Sequence, residues 1–507
     1  MDSNDKRIAK NTFFLYMRMM LSMLISLFTS REILRILGVE DFGTYNIVGS
    51  VVVLFSFVNS TMISSTQRFL NFEMGRKNMD RVQHVFSTSF QVQMALAAVV
   101  FILSETIGLW FLNSYVKIPD GRMWAANWVF QFSILRTIIR ILRAPFNASI
   151  IAYEKMQIFA YVSILNDVLK LLIVYCLLLS SLDRLVTYSA LGCVVSICIS
   201  LIYMFYSNRH FPTCRIDFKV DMKQVKAMLS FSWWSLFGSV ALLATFTGIS
   251  FILNFFYGVA VNAALGVANQ VYGAIASLSN SFQSAFNPQI TKTYASGERN
   301  RLFDLIRRTS RYSFFLLIIF AIPIIIYCNE ILDIWLSKVP EHSVNFCRLI
   351  ILTSIGEALS GPLWMSVQAT GNIKRYQIII SCILFMNLPL SALFIWLFDF
   401  PEIAIMIRVA VIFVAYTFRL IYLRSHIGLA LRPYAKSVVV PCALCATVAF
   451  GLAMALRLVA HGHIHVIILA IVSFAICVTC IFTMGLSKDE RKSLITFVSN
   501  KLGAKAA

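Results

Sequence analysis

Apolar stretches of about 20 residues or more follow one another along this chain almost without interruption, and the polar gaps between them are short. With turn signals at glycine, proline and charged clusters, the pattern predicts fourteen helical spans, at 11–37, 43–72, 83–112, 123–151, 156–181, 184–206, 225–256, 260–292, 308–328, 343–370, 374–398, 401–423, 434–457 and 464–485. The expected fold class is all-α, a polytopic membrane protein of about fourteen transmembrane helices. An even number of spans puts both termini on one side. No gap is long enough for a separate catalytic domain. Residues 37–45, Leu-Gly-Val-Glu-Asp-Phe-Gly-Thr-Tyr, are predicted as a tight turn joining the first two spans.

The longest polar connection, from Ser207 to Lys226, contains Pro212 and divides the first six spans from the next six. The expected domains are an N-terminal lobe at 1–206, a linker at 207–224, a C-terminal lobe at 225–430, and two further helices with a tail at 431–507. Gly38 and Gly258 open comparable turns, and Gly75-Arg76-Lys77-Asn78 and Gly297-Glu298-Arg299-Asn300 occupy comparable loops, at offsets of about 220 and 222 residues. Ala144-Pro145 through Ala152 is echoed by Gly361-Pro362 through Ala369, at an offset of 217. Echoes in the same order argue for parallel six-helix repeats related by a pseudo-two-fold axis along the membrane normal.

Composition supports the membrane reading: 59% hydrophobic residues, 13% charged, mean hydropathy +0.76. The net charge of +20 would suggest nucleic acid in a soluble protein. Here the basic residues gather in alternate connections, such as Arg76, Lys77 and Arg81, Lys155, Arg299, Arg301, Arg307 and Arg308, and Lys374 and Arg375. That is the positive-inside pattern, so no nucleic-acid partner is expected and both termini are placed in the cytoplasm. The first apolar stretch carries Arg18 and lacks a small-residue cleavage site, so it is expected to be a retained span. Most of the eleven cysteines lie within apolar spans. Cys442/Cys445 and Cys477/Cys480 have CxxC spacing without a nearby polar ligand set, Cys328 and Cys347 flank one connection, and His461, His463 and His465 form an interfacial cluster. No metal or cofactor is expected.

Polar residues inside the spans change the picture more. One arginine at the centre of a membrane helix costs about 2.5–3.5 kcal/mol on the insertion scale, so it is expected to face protein or a wet cavity. Arg18 lies in the first span. Arg136, Arg140 and Arg143, at spacings of four and three, share one face of the fourth. Either acidic partners pair with them or the face lines a cavity that receives an anion, for which guanidinium forks suit phosphate oxygens. The acids within the spans are few: Glu105, Asp167 and Glu357, with Asp167 three residues from Lys170. Arg68, ending the second span, is a further candidate anion ligand. Asn11 and Ser22 in the first span, Asn59 and Gln67 in the second, and Asn269, Gln270, Asn280 and Gln283 in the eighth are candidate walls of a cleft for a hydroxyl-rich partner, or helix-packing glue. Glu357 is the leading candidate for a protonatable or ion-binding group, with Asp167 second, or else Glu357 pairs with an arginine of the opposite half. Arg348 and Arg408 sit near span ends and are expected to snorkel to the surface.

Asn11 and the helix with Arg18, the turn Leu37-Gly38-Val39-Glu40-Asp41-Phe42-Gly43-Thr44-Tyr45, and Pro145 leading to Ala152-Tyr153-Glu154-Lys155 give the chain a likeness over nearly its whole length. It resembles the polysaccharide transporter branch of the multidrug/oligosaccharidyl-lipid/polysaccharide (MOP) exporter superfamily, and within it the Wzx-type flippases of O-antigen and capsular polysaccharide. The resemblance implies a V-shaped, two-lobed bundle that alternates between inward-open and outward-open states. Its implied cargo is an undecaprenyl-pyrophosphate-linked oligosaccharide, crossing a bacterial inner membrane for lipopolysaccharide or capsule synthesis. Membrane lipids, a polysaccharide polymerase and a chain-length regulator are the implied neighbours, and no catalysis is implied. A lipid II flippase and a drug or metabolite exporter share the architecture. A membrane-embedded glycosyl- or acyltransferase would need a long outer loop or an intramembrane His/Asp constellation.

Overall fold

The computed structural model describes residues 3–115, 118, 121–179, 182–217, 221–336, 339–460, 466–487 and 490–492. The chain is an all-α polytopic membrane protein. Its first helical stretch, Ser3–Gly75, is broken at Gly38 into α1 (3–37) and α2 (39–75). Then come α3 (Met79–Ser114), α4 (Met123–Ala152), α5 (Met156–Cys176) and α6 (Arg184–His210). The stretch Met222–Ala295 is broken at Gly258 into α7 (222–257) and α8 (259–295). It is followed by α9 (Arg299–Ile326), a short helix (Cys328–Trp335), α10 (Ser343–Thr370), α11 (Lys374–Phe398), α12 (Ile403–Ile427), α13 (Leu431–Leu458) and α14 (Val466–Gly485). Among the described residues, ten helices are long and apolar enough to cross a membrane; α4, with its three arginines, is not one of them.

The helix starts are set by side chains that satisfy the free N–H groups of a first turn. Asn78 caps α3 by accepting from Arg81 N at 3.1 Å, Asp183 caps α6 through Leu185 N and Val186 N, and Asp221 caps α7 through Lys223 N and Gln224 N. The predicted turn at 37–45 is shorter than its composition suggests. Only Gly38 leaves helical geometry (φ 79°, ψ 173°), and the residues after it are the first turns of α2. An acidic residue suits a helix N-terminus, so Asp41 extends the helix instead of interrupting it.

Left-handed backbone positions recur along the chain at near-constant separation: Gly38 with Gly258, Lys77 with Gly297, Gly121 with His342, and Glu154 with Gly371. This corrects one pairing. The partner of Gly297 is Lys77, not Gly75, because the backbone conformation recurs while the residue occupying it does not. The proline echo recurs in chemistry too: Ser149 Oγ donates to the Pro145 carbonyl at 2.9 Å and Ser366 Oγ to the Pro362 carbonyl at 2.7 Å, each inside a helix.

The chain divides into two compact units, Ile8–Leu236 with Thr291–Gly297, and Met1–Arg7 with Phe237–Ile290 and Glu298–Ala507. In the first, α4 packs extensively on α6, and Leu70, Phe86, Phe146, Val174 and Ile199 belong to one hydrophobic core. The end of α8 completes this unit: Lys292 Nζ donates to Glu154 Oε1 at 2.8 Å and to the Ala152 carbonyl at 2.6 Å. In the second unit the core is built on Leu253, Leu265, Phe346, Ile350 and Ile405. There α13 and α14 pack on α9, with Tyr327 and Ser473 hydroxyls 3.4 Å apart and Arg311 paired with Glu490. Cys328, Cys347, Cys442, Cys445, Cys477 and Cys480 are all buried free thiols. The cluster His461, His463 and His465 lies outside the described residues.

Candidate functional site

The first unit holds a cavity of about 390 Å³ between α1, α4, α5 and α6. Arg18 and Ser22 enter it from α1, Arg143 and Asn147 from α4, Asn166 and Asp167 from α5, and Tyr203 from α6. Helical spacing produces this convergence: Arg18 and Ser22 are four apart, as are Arg143 and Asn147. Each arginine lies over an aromatic face, Arg18 4.9 Å from the Phe159 ring centre and Arg143 5.1 Å from that of Tyr203. The two guanidinium groups have no ion-pair partner among the described residues. Asp167, the acid on the wall, is engaged by Lys170 Nζ at 3.4 Å and Asn166 Nδ2 at 3.1 Å. Arg18 Nε and Asn147 Oδ1 are buried without a hydrogen-bond partner among the described residues. A cavity walled by unpaired cations and unsatisfied polar atoms suits an anion with several acceptor oxygens.

The arginine row of α4 divides into three environments. Arg143 faces the cavity. Arg140 is exposed and makes no ion pair among the described residues. Arg136 is tied into the packing: Nη1 donates to the Tyr45 hydroxyl at 3.0 Å, and Gly192 makes room for it, since a Cβ there would lie 3.2 Å from Nη1. Arg68 stands apart from the cavity, 5% exposed, in a box of Phe69, Phe72 and Phe231 with ring centres 4.6, 4.9 and 5.6 Å away.

The remaining candidates are scattered. Asn11 is buried, Gln67 half-buried, and the side chain of Asn59 lies outside the described residues. On α8, Gln270 and Asn280 are exposed, and Asn269 is half-buried with an Oδ1 that has no hydrogen-bond partner among the described residues. Gln283 is pressed against Gly361 of α10, where a Cβ would come within 2.2 Å of its amide nitrogen. In the second unit, Glu357 Oε2 accepts from the Tyr272 hydroxyl at 2.6 Å. Arg408, expected to snorkel, is instead 1% exposed and lies over Phe246 at 3.5 Å and Tyr272 at 5.3 Å. The aromatic faces of α7 and α8 cover it, which its place near the start of α12 does not reveal. Sequence reading also passed over Phe159, Tyr203, Asn147 and Asn166. The available signal was the four-residue step from Arg143 to Asn147.

The polysaccharide biosynthesis protein family matches residues 8–294, and the MatE family matches residues 235–393. An uncharacterized membrane protein of Bacillus subtilis strain 168, EpsK, is 19% identical over 322 residues, 63% of each chain, so the match spans less than two thirds of that relative's length. Among solved structures, the outward-facing conformation of a multidrug resistance MATE family transporter of the MOP superfamily aligns with a TM-score of 0.72 at 12% identity, covering 84% of this chain and 96% of that one. A MOP superfamily transporter from Pyrococcus furiosus, described as having a binding pocket of reverse polarity, aligns at 0.68 with 11% identity over 83% and 96% of the two chains. These likenesses establish a MATE-type fold, and the family match over more than half of the sequence establishes kinship: the chain belongs to the polysaccharide biosynthesis protein family.

Proposed function

We propose that this protein flips a polyprenyl-pyrophosphate-linked oligosaccharide, such as an undecaprenyl-linked O-antigen or capsule repeat unit, across the bacterial cytoplasmic membrane by alternating access. The observation that carries the reading is the cavity of the first unit, where Arg18 and Arg143 converge without a carboxylate in ion-pair contact with either. Holding two unpaired guanidinium groups at membrane depth is costly, and a diphosphate offsets that cost with charge-assisted hydrogen bonds. In this reading Arg18 and Arg143 hold the diphosphate and Arg140 attracts it. Ser22, Asn147 and Asn166 meet its oxygens or the first sugar, and the tail stays in lipid. No covalent step is needed. Glu357, held by Tyr272, and Asp167 are the candidate groups for a coupling ion. A polymerase and a chain-length regulator are the proposed neighbours in assembly.

The test is flipping of a fluorescent lipid-linked oligosaccharide in proteoliposomes. Arg18→Ala, Arg140→Ala and Arg143→Ala are each expected to slow it by about tenfold or more with folded protein intact, as loss of a charged contact worth about 1.5–3 kcal/mol implies. Lysine replacements retain more. Wild-type rates in all three alanine variants would overturn the proposal. A second reading, export of a drug or metabolite, is supported by the MatE match at 235–393. It predicts drug sensitivity in a deletion strain and no flipping of the lipid-linked sugar.

A further inference from the structure

Away from the arginine cavity, unpaired charge of both signs gathers where α2, α3 and α7 end together. Higher along these three helices runs an apolar groove of about 630 Å³, walled by Met62 of α2, Val92, Leu96 and Val99 of α3, and Leu229 and Trp233 of α7. Val99, Leu229 and Trp233 are 51%, 48% and 65% exposed, so the groove is open along its side. Below it is a polar pocket of about 710 Å³ lined by Glu73, Arg81, Asp221 and Lys223, with Phe69 and Gln224. Gln224 lines the polar pocket and Val225 the apolar groove, so one begins where the other stops. Among the described residues none of the four charged side chains forms an ion pair, and the Asp221 carboxylate also caps α7. Two cations and two anions therefore share one mouth, at the end of an apolar trough in a membrane-embedded bundle.

We propose that this is a binding site for one zwitterionic glycerophospholipid. An acyl chain lies along the groove, the phosphate between Arg81 and Lys223, and the ammonium against Glu73 and Asp221. The groove has the size of ordinary small-molecule sites, about 300–1,000 Å³, and its apolar wall supplies affinity. The headgroup is selected by the mixed signs. A purely anionic head, whether phosphatidylglycerol or a polyprenyl diphosphate, gains the two cations but meets two carboxylates that it leaves unpaired, and a cationic one meets the reverse. The site is thus distinct from the arginine cavity, and the inference stands whether or not the transported substrate is the one proposed above.

Native mass spectrometry of the full chain, delipidated in detergent and offered equimolar phosphatidylethanolamine and phosphatidylglycerol of identical chains, tests it. The wild type is expected to retain phosphatidylethanolamine by about fivefold over phosphatidylglycerol. The double variant Arg81→Gln/Lys223→Gln should lose that preference, and Glu73→Gln should shift it toward phosphatidylglycerol. Ala95→Trp, on the open side of the groove, should reduce binding of both lipids. Equal retention of the two lipids by the wild type would overturn the proposal on its own, before any variant is made. So would displacement of phosphatidylethanolamine by farnesyl diphosphate, which would reassign the groove to a prenyl tail.

Discussion

Arg122 stands between two carboxylates. Nε donates to Asp41 Oδ1 at 2.8 Å, and Nη1 to Asp183 Oδ2 at 2.5 Å, so one side chain joins the starts of α2, α4 and α6. Burial pushes the Asp183 carboxyl up, but the Val186 N–H, the Arg122 guanidinium and the Leu185 N–H outweigh it and hold the group below its ordinary value of 3.8. Arg122→Ala leaves both acids without their cation and is expected to cost about 1–3 kcal/mol, seen as a lower thermal midpoint in detergent. A carboxyl with a lowered folded pKa contributes stability above its unfolded value and loses it as the pH falls through the folded one. The gap between wild type and Arg122→Ala should therefore be full at neutral pH and close under acid. What the sequence revealed at this scale was that Arg18 lies inside the first span and that Arg136, Arg140 and Arg143 lie at helical spacing in the fourth. What each touches was hidden, because Tyr45, Phe159 and Tyr203 arrive from other helices. Arg408 was misjudged for the same reason: the rings that bury it belong to α7 and α8.

Among the helices, the two long stretches broken by single glycines carry the most information. Gly38 (φ 79°, ψ 173°) and Gly258 (φ 77°, ψ −164°) occupy backbone space that is essentially reserved for glycine. Nothing lies within 4 Å of a Cβ built at either position, so substitution meets no clash and its cost is purely conformational. Gly38→Ala and Gly258→Ala should each destabilise by about 1–3 kcal/mol, and D-alanine introduced by peptide ligation at Gly38 should restore most of it. A clash-based view predicts no effect of either L-alanine. Gly75 makes the contrast, since a Cβ there would meet the Lys292 carbonyl at 2.4 Å. The glycine echo was legible from sequence because glycine is the residue such a bend demands. The echo of Lys77 with Gly297, or of Glu154 with Gly371, was not, because one member of each pair is a side chain that tolerates positive φ without announcing it. The breadth of the 37–45 turn was overread on composition, where helix N-terminal acids look like loop residues.

For the whole molecule, the distribution of basic residues argues for one orientation. Arg76, Lys77, Arg81, Arg299, Arg301, Lys374, Arg375 and Arg424 lie at helix ends joined by connections after an even number of spans. At the opposite ends four described arginines are engaged locally: Arg35 with Glu32 at 2.6 Å, Arg122 with Asp41 and Asp183, Arg184 with the Ile36 carbonyl at 3.3 Å, and Arg457 with Glu330 at 2.7 Å. Insertion follows the count of Lys and Arg in short loops, which is larger at the first set of ends. Those four arginines have structural partners that account for their presence there. The expected topology places the first set in the cytoplasm. Cysteine labelling checks it, in a background with the exposed Cys176, Cys198 and Cys382 replaced by alanine. In spheroplasts a membrane-impermeant maleimide should modify Leu182→Cys and Phe400→Cys directly, and Asp80→Cys and Asn300→Cys only after permeabilisation. The reverse pattern would invert the protein. The proposed lipid mouth at Arg81 and Lys223 would then face the outer leaflet, and the charge bias would have failed to set the topology.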